Sequence, residues 1–197
     1  MGQEKNRQLK KQRAQQRQRR QIMIGAGVAL LVAAVVAFVL LWPSAPDEWE
    51  RLVEEGQPAM SRVETPENQG ADHLPTGTRI PYDSRFPTSG AHWPSPTRPG
   101  FYETPQPNEG LVHAIEHGNI TVYYDELRPE DEATLREWTG FYTGTWSAVI
   151  AVPAEGLGQG VVLTAWDHRL RLDDFDPAAM AAFIEAFRGR GPENPVR

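Results

Sequence analysis

Residues 22–42 read IMIGAGVALLVAAVVAFVLLW, a run without one charged side chain. As an α-helix rising ~1.5 Å per residue, a run of this length spans ~30 Å, the thickness of a bilayer's hydrocarbon core. Backbone amides enter that core only when paired inside a helix or a closed barrel, so this feature constrains the chain more than any other. It predicts one transmembrane helix, a signal anchor that is not removed. A cleaved secretory signal fits less well: its apolar part runs ~7–15 residues and ends at a small-x-small site, whereas Trp42 and Pro43 stand at the end of this one.

The run also partitions the charge. Eight of the 20 basic residues lie in residues 1–21 against Glu4 alone, which leaves 12 basic and 25 acidic residues beyond, a formal net of −13. Basic flanks are retained in the cytoplasm, so the expected arrangement is a single-pass protein of the cell membrane, with residues 1–21 as a cytoplasmic tail and the acidic remainder extracytoplasmic. Anionic lipid head groups account for the basic tail, and no nucleic-acid partner is expected. Gly25, Ala29, Ala33 and Ala37 recur every fourth residue. Such a stripe lets a membrane-protein partner or a second copy of the helix approach closely.

Cysteine is absent, which excludes disulfides, dithiol redox chemistry and thiolate metal sites together. Any metal must therefore be held by imidazole and carboxylate.

Beyond the membrane segment, residues 43–72 read as a spacer with a short helix in DEWERLVEEG, capped by Asp47 and ended by Gly56. The globular domain is expected over residues 73–197. Its first part, residues 73–108, is so rich in proline that helix and central strand are denied to it. Tyr82, Phe86, Trp93, Phe101 and Tyr102 nevertheless argue against disorder, so this part is expected to be a packed loop layer. Further on, the pattern predicts helices over residues 111–117 and from Pro129 to about residue 142. Strands are expected over 119–124, 146–153 and 160–166. A last helix, 176–189, has Asp176 as its cap and Met180, Phe183, Ile184 and Phe187 on one face. The fold class that follows is α+β: a small mixed or antiparallel sheet with packed helices and a proline-rich loop layer, preceded by one transmembrane helix.

All five histidines lie beyond the membrane segment: His73, His92, His113, His117 and His168. In VHAIEHG, His113 and His117 are four apart and share a helix face, while His73 and His92 sit in the loop layer, where stiff backbone fixes their direction. These four are the candidate metal ligands, with Glu116 as the outer partner that orients them. Imidazole with carboxylate suits Cu(II) or Zn(II), with a small preference for copper in an oxidising compartment. His168, beside Asp167 on an Arg-rich turn, reads as a surface residue.

Two other classes of function compete. One makes the histidines structural and the chain an assembly partner in a membrane complex. The other takes His113-Ala-Ile-Glu116-His117 as the inverted zinc-peptidase motif, with Glu116 as general base on a zinc-bound water and Glu185 as the third ligand by sequence distance. The sequon at Asn119 stands at a strand start, where β-propensity explains Thr121. No phosphate loop, dinucleotide fingerprint or nucleophile elbow occurs.

Taken together, YDSRFPTSGAHW, GFYE, LVHAIEHGNITVYY, VVLTAW and LDDFDPAAMAAFIEAFRGRGPE resemble the bacterial domain-of-unknown-function family 3105 over nearly all of residues 73–193. The resemblance implies that His92, in TSG-x-H, and His113 and His117, in VH-x-x-EHG, belong to the family pattern, as does an earlier histidine that falls at His73. Ala91 stands where proline is common, and Asp167 where glycine is common after Ala-Trp. The resemblance brings no activity with it.

Overall fold

The structure, a computed structural model, describes Met23 and residues 47–193, and the latter belong to one compact unit. The expected membrane helix and basic tail lie outside the described residues, Met23 apart. Among the described residues no helix is long and apolar enough to cross a membrane.

The first helix, α1 (Glu48–Gly56), starts where the Asp47 side chain accepts a hydrogen bond from the Glu50 amide at 2.8 Å, and a 3₁₀ turn, Gln57–Arg62, follows it. The loop layer comes next and holds a two-residue strand, β1 (Gly100–Phe101). Then come α2 (Asn108–Glu116), β2 (Ile120–Tyr124), α3 (Pro129–Phe141), β3 (Val149–Pro153), β4 (Val161–Ala165), β5 (His168–Leu172) and α4 (Pro177–Phe187). The domain is α+β with a mixed sheet, in the strand order β1-β3-β2-β4-β5. β3 runs parallel to β1 and β2, whereas β2 with β4 and β4 with β5 are antiparallel.

Local sequence explains these directions. Helix α3 separates β2 from β3, long enough to carry the chain back for a parallel pairing. Between β4 and β5 only Trp166 and Asp167 intervene, and Asp167 takes φ 60. Asp is among the few residues that tolerate this left-handed conformation, which is how it stands where the family resemblance has glycine.

Both sheet faces are covered. Ile120, Val122, Val149, Ala151, Val161 and Leu163 face α3 and α4, where Leu135, Trp138, Met180, Phe183 and Ile184 complete a core. On the other face Tyr123, Ile150, Val152 and Val162 meet Phe86 of the loop layer and Leu111 and Ala114 of α2. Strand β2 is buried along its whole length for this reason. Helix α4 is buried nearly all round, because α1 packs on the side away from the sheet. Gly56 there lies so close to the Ala178 carbonyl that no Cβ fits.

Two strands go beyond the sequence expectation. β5 alternates Arg169 and Arg171, the former bonded to Ser84 and Phe86 of the loop layer, with Leu170 and Leu172 in the core, and β1 exists only through its pairing with β3.

Candidate metal centre

The centre forms where α2 meets the loop layer. Helix α2 is buried from Gly110 to Glu116. It lies against the loop because Gly110 has no side chain to hold Thr97 away, and the Thr97 amide donates to the Gly110 carbonyl at 2.9 Å. Helical spacing then puts His113, Glu116 and His117 on one face, with Gly118, at φ 98, ending the turn.

His73 and His92 are brought side by side by backbone. The Leu74 amide donates to the His92 carbonyl at 2.8 Å and the His92 amide to the Asp72 carbonyl at 2.9 Å, a small parallel bridge inside the loop layer. Their Nε2 atoms lie 3.3 Å apart. His73, His92, His113 and Glu116 each offer one ligand atom within 4.8 Å of the others, a set able to hold a metal ion. The four histidines named from the sequence are thus neighbours, with His113 and His117 Nε2 to Nε2 at 3.0 Å. Glu116, expected to orient the ligands, has its own Oε2 in the donor set, 2.9 Å from His92 Nε2 and 4.0 Å from His73 Nε2.

The outer hydrogen bonds of the two most buried rings fix which nitrogen is free. His92 Nδ1 lies 2.8 Å from the Gly90 carbonyl and His113 Nδ1 2.6 Å from the Trp93 carbonyl. A carbonyl only accepts, so each Nδ1 carries the proton and donates it, and in the neutral ring the lone pair sits on Nε2, toward the cluster. Burial holds His92, His113 and His117 below the ordinary histidine range, chiefly by desolvation, which keeps those rings neutral. Burial pushes the Glu116 carboxyl up, with the Glu193 charge adding to it.

Without an ion the centre is poorly satisfied. Glu116 Oε2 is buried and has no hydrogen-bond partner, although His92 Nε2 is 2.9 Å away. With the carboxylate ionised and the imidazole neutral, two atoms that both present lone pairs at that distance repel. Removing a carboxylate from water costs several kcal/mol unless an opposite charge or donors compensate. A cation between them satisfies both. The His92–Glu116 and His73–His92 spacings are near those of a coordination sphere: metal–nitrogen bonds of ~2.0–2.1 Å put neighbouring donors ~3.3 Å apart in a tetrahedron and ~2.9 Å apart in an octahedron.

His92 is fully buried, whereas the His73 side chain is 41 % exposed, so the set is open to solvent along one edge. Trp166 stands edge-on to His92, and Trp146 covers His117 with ring centroids 4.1 Å apart.

Glu193 is the functional candidate that sequence reasoning missed. Its Oε2 lies 3.0 Å from His117 Nε2, and His113, His117 and Glu193 form a second group able to hold an ion. The terminal strap carrying it is tied to the end of α2. The Gly189 amide donates to the Gly118 carbonyl at 2.7 Å, and Gly191 packs where no Cβ fits, against the Glu116 carbonyl and the Gly118 amide. Glu185 is elsewhere, accepting from Trp49 Nε1 at 3.2 Å, and belongs to neither group. His168 stacks half-buried on Phe187 and donates from Nδ1 to the Trp166 carbonyl at 2.7 Å.

Fold and centre together define an α+β domain whose single mixed sheet carries, on its loop-covered face, a nitrogen-rich donor cluster of histidines and carboxylates. The family described as "Protein of unknown function (DUF3105)" matches residues 73–197, and the chain belongs to it. No curated protein and no solved structure matches the chain.

Proposed function

We propose that this protein binds a divalent transition metal, Cu(II) or Zn(II), through His73, His92 and His113 with Glu116, and handles that metal at the cell envelope. The observation that carries the reading is the buried, partnerless Glu116 Oε2 facing the lone-pair nitrogen of His92 at 2.9 Å. Neutral imidazoles whose outer nitrogens are already tied to carbonyls are prepared ligands, and a carboxylate in the same set supplies the charge a dication prefers. With Glu116 among the donors, its role is coordination, and binding is favoured over the hydrolase reading, which requires that carboxylate as a base on water. The exposed edge at His73 gives the ion a route in and out.

The same proposal places the domain outside the membrane, anchored by residues 22–42 with the tail of residues 1–21 in the cytoplasm. Its support is the uncharged run and the charge asymmetry around it. Resistance of the chain to alkaline extraction from membranes, with the domain open to protease added outside, is the expected result.

The metal reading is tested by elemental analysis of the full-length chain, purified in mild detergent without a polyhistidine tag and equilibrated with Zn(II) or Cu(II). Metal is expected at or above one ion per chain, and His92→Ala and His113→Ala lower it strongly. Unchanged metal content in both variants would overturn the assignment.

A further inference from the structure

The two donor groups share one residue, His113, and the bonding at that residue points beyond a single ion. His113 Nδ1 is engaged with the Trp93 carbonyl, so only Nε2 can coordinate, and an imidazole nitrogen has one lone pair for one ion. His117 also meets the cluster through Nε2, while its Nδ1 is buried without a partner. That Nε2 lies 3.0 Å from His113 Nε2 on one side and 3.0 Å from Glu193 Oε2 on the other. One proton on His117 cannot lie on both lines. At most one of these contacts is therefore a hydrogen bond donated by His117, and the other is left without that proton, as the Glu116–His92 contact a few ångströms away is left without a hydrogen bond.

We propose that the centre takes two divalent cations, one held by His73, His92 and Glu116 and the other by His113, His117 and Glu193. This rests on the metal reading above and extends it. Six donors split into two sets of two imidazoles and one carboxylate, each leaving coordination positions for water or an incoming ligand. Two histidines and a carboxylate suit first-row divalent ions of intermediate softness. The sets adjoin, with the His113 ring centroid 4.9 Å from those of both His73 and His92. When one ion is present, His113 completes the first set as its fourth donor; the second ion draws it to the other.

The strap that presents Glu193 belongs to the site on this view. Its backbone is held to the end of α2 independently of the side chain, so the carboxylate is positioned by the fold. The Glu193 side chain is 39 % exposed, and Glu193→Gln removes a charge without opening the core.

The test is metal stoichiometry of the full-length chain in mild detergent, equilibrated with Cu(II) in rising amounts and read by elemental analysis and electron paramagnetic resonance. The expected result is two ions per chain, with the isolated Cu(II) signal present at one equivalent and lost to spin coupling at two. Glu193→Gln and, separately, His117→Ala should saturate at one ion and keep the uncoupled signal. Saturation of the unaltered chain at one ion would overturn the two-ion proposal and leave the single centre standing. Two uncoupled ions, or two ions that survive both substitutions, would overturn it as well. Failure to bind any ion would remove both readings.

Discussion

The substitution Glu116→Gln separates a metal centre from a structural histidine cluster by the sign of its effect. The Glu116 side chain is 5 % exposed, its Oε2 lacks a hydrogen-bond partner, and burial raises its pKa. If the carboxylate is there for a cation, it is a liability in the metal-free protein, and a neutral amide of the same shape should leave that form as stable or make it more so. The cation then reverses the order. Saturating the native site adds RT ln(1 + [L]/Kd), ~2.7 kcal/mol at a hundredfold excess over Kd and ~4.1 kcal/mol at a thousandfold. For a domain of about 150 residues each kcal/mol moves the melting temperature by ~2–4 °C, so the native chain should gain ~5–16 °C with Zn(II). The variant, short of one donor and of its charge, should gain little. Thermal unfolding followed by circular dichroism, with chelator and then with Zn(II), measures all four values. A structural pair behaves oppositely: removing one partner of a buried charged pair costs ~3–5 kcal/mol. If the metal-free variant melts lower by that amount and still shows the full Zn(II) shift, the argument from the orphaned carboxylate is wrong.

Other outcomes follow from the packing and the titrating groups. Phe183→Ala empties the centre of the larger core and should cost ~3–5 kcal/mol in urea unfolding. Gly56→Ala drives a methyl into the Ala178 carbonyl, where backbone cannot yield cheaply, and should cost at least ~1–3 kcal/mol by the same measurement. In the metal-free protein the lowered pKa values of His92, His113 and His117 mean that the unfolded chain takes up more protons just below pH ~6.5, so stability falls as pH drops through that range. The raised pKa of Glu116 acts oppositely above ~4.5, so the comparison is made in Glu116→Gln, where that opposing group is removed. A melting temperature that rises on acidification from pH 7 to 6 would contradict this.

What the sequence discloses about such a chain depends on how local each cause is. Helices α1 and α4 are legible because Asp47 and Asp176 cap them with their own side chains and their apolar residues recur at helical spacing. Strand β5 is less so, because Arg169-Leu170-Arg171-Leu172 alternates over only four residues and Asp167, not glycine, makes the turn before it. His113 and His117 announce themselves by their spacing. The approach of His73 to His92 is different, since it depends on a backbone bridge across nineteen residues of irregular chain that no local pattern encodes. Glu193 is harder still: it follows the last helix in a turn with no ligand spacing, and it reaches His117 only because Gly189 and Gly191 let the strap lie against the end of α2.

That division between a core and a site built beside it bears on what the proposed metal would be for. In a small domain with too little core, a structural ion is the fold, and chelation unfolds it. Here Ile120, Val122, Leu163, Leu170, Phe183 and their neighbours form a continuous apolar core against α3 and α4, while the site histidines lie on α2 and in the loop layer. The bridge between His73 and His92, and the carbonyl bonds of His92 and His113, are made by backbone and outer nitrogens, so they persist when the ion leaves. The donors are therefore preorganised, which would lower the ordering cost of binding an ion and leave that ion free to exchange at the open edge. Treatment with a strong chelator should lower the melting temperature only by the ~5–16 °C that linkage supplies, with the far-ultraviolet circular dichroism at 25 °C unchanged and the original melt restored by added metal. Loss of that spectrum on chelation would show instead that the ion holds the fold, and a role in carrying or passing on metal would have to be given up.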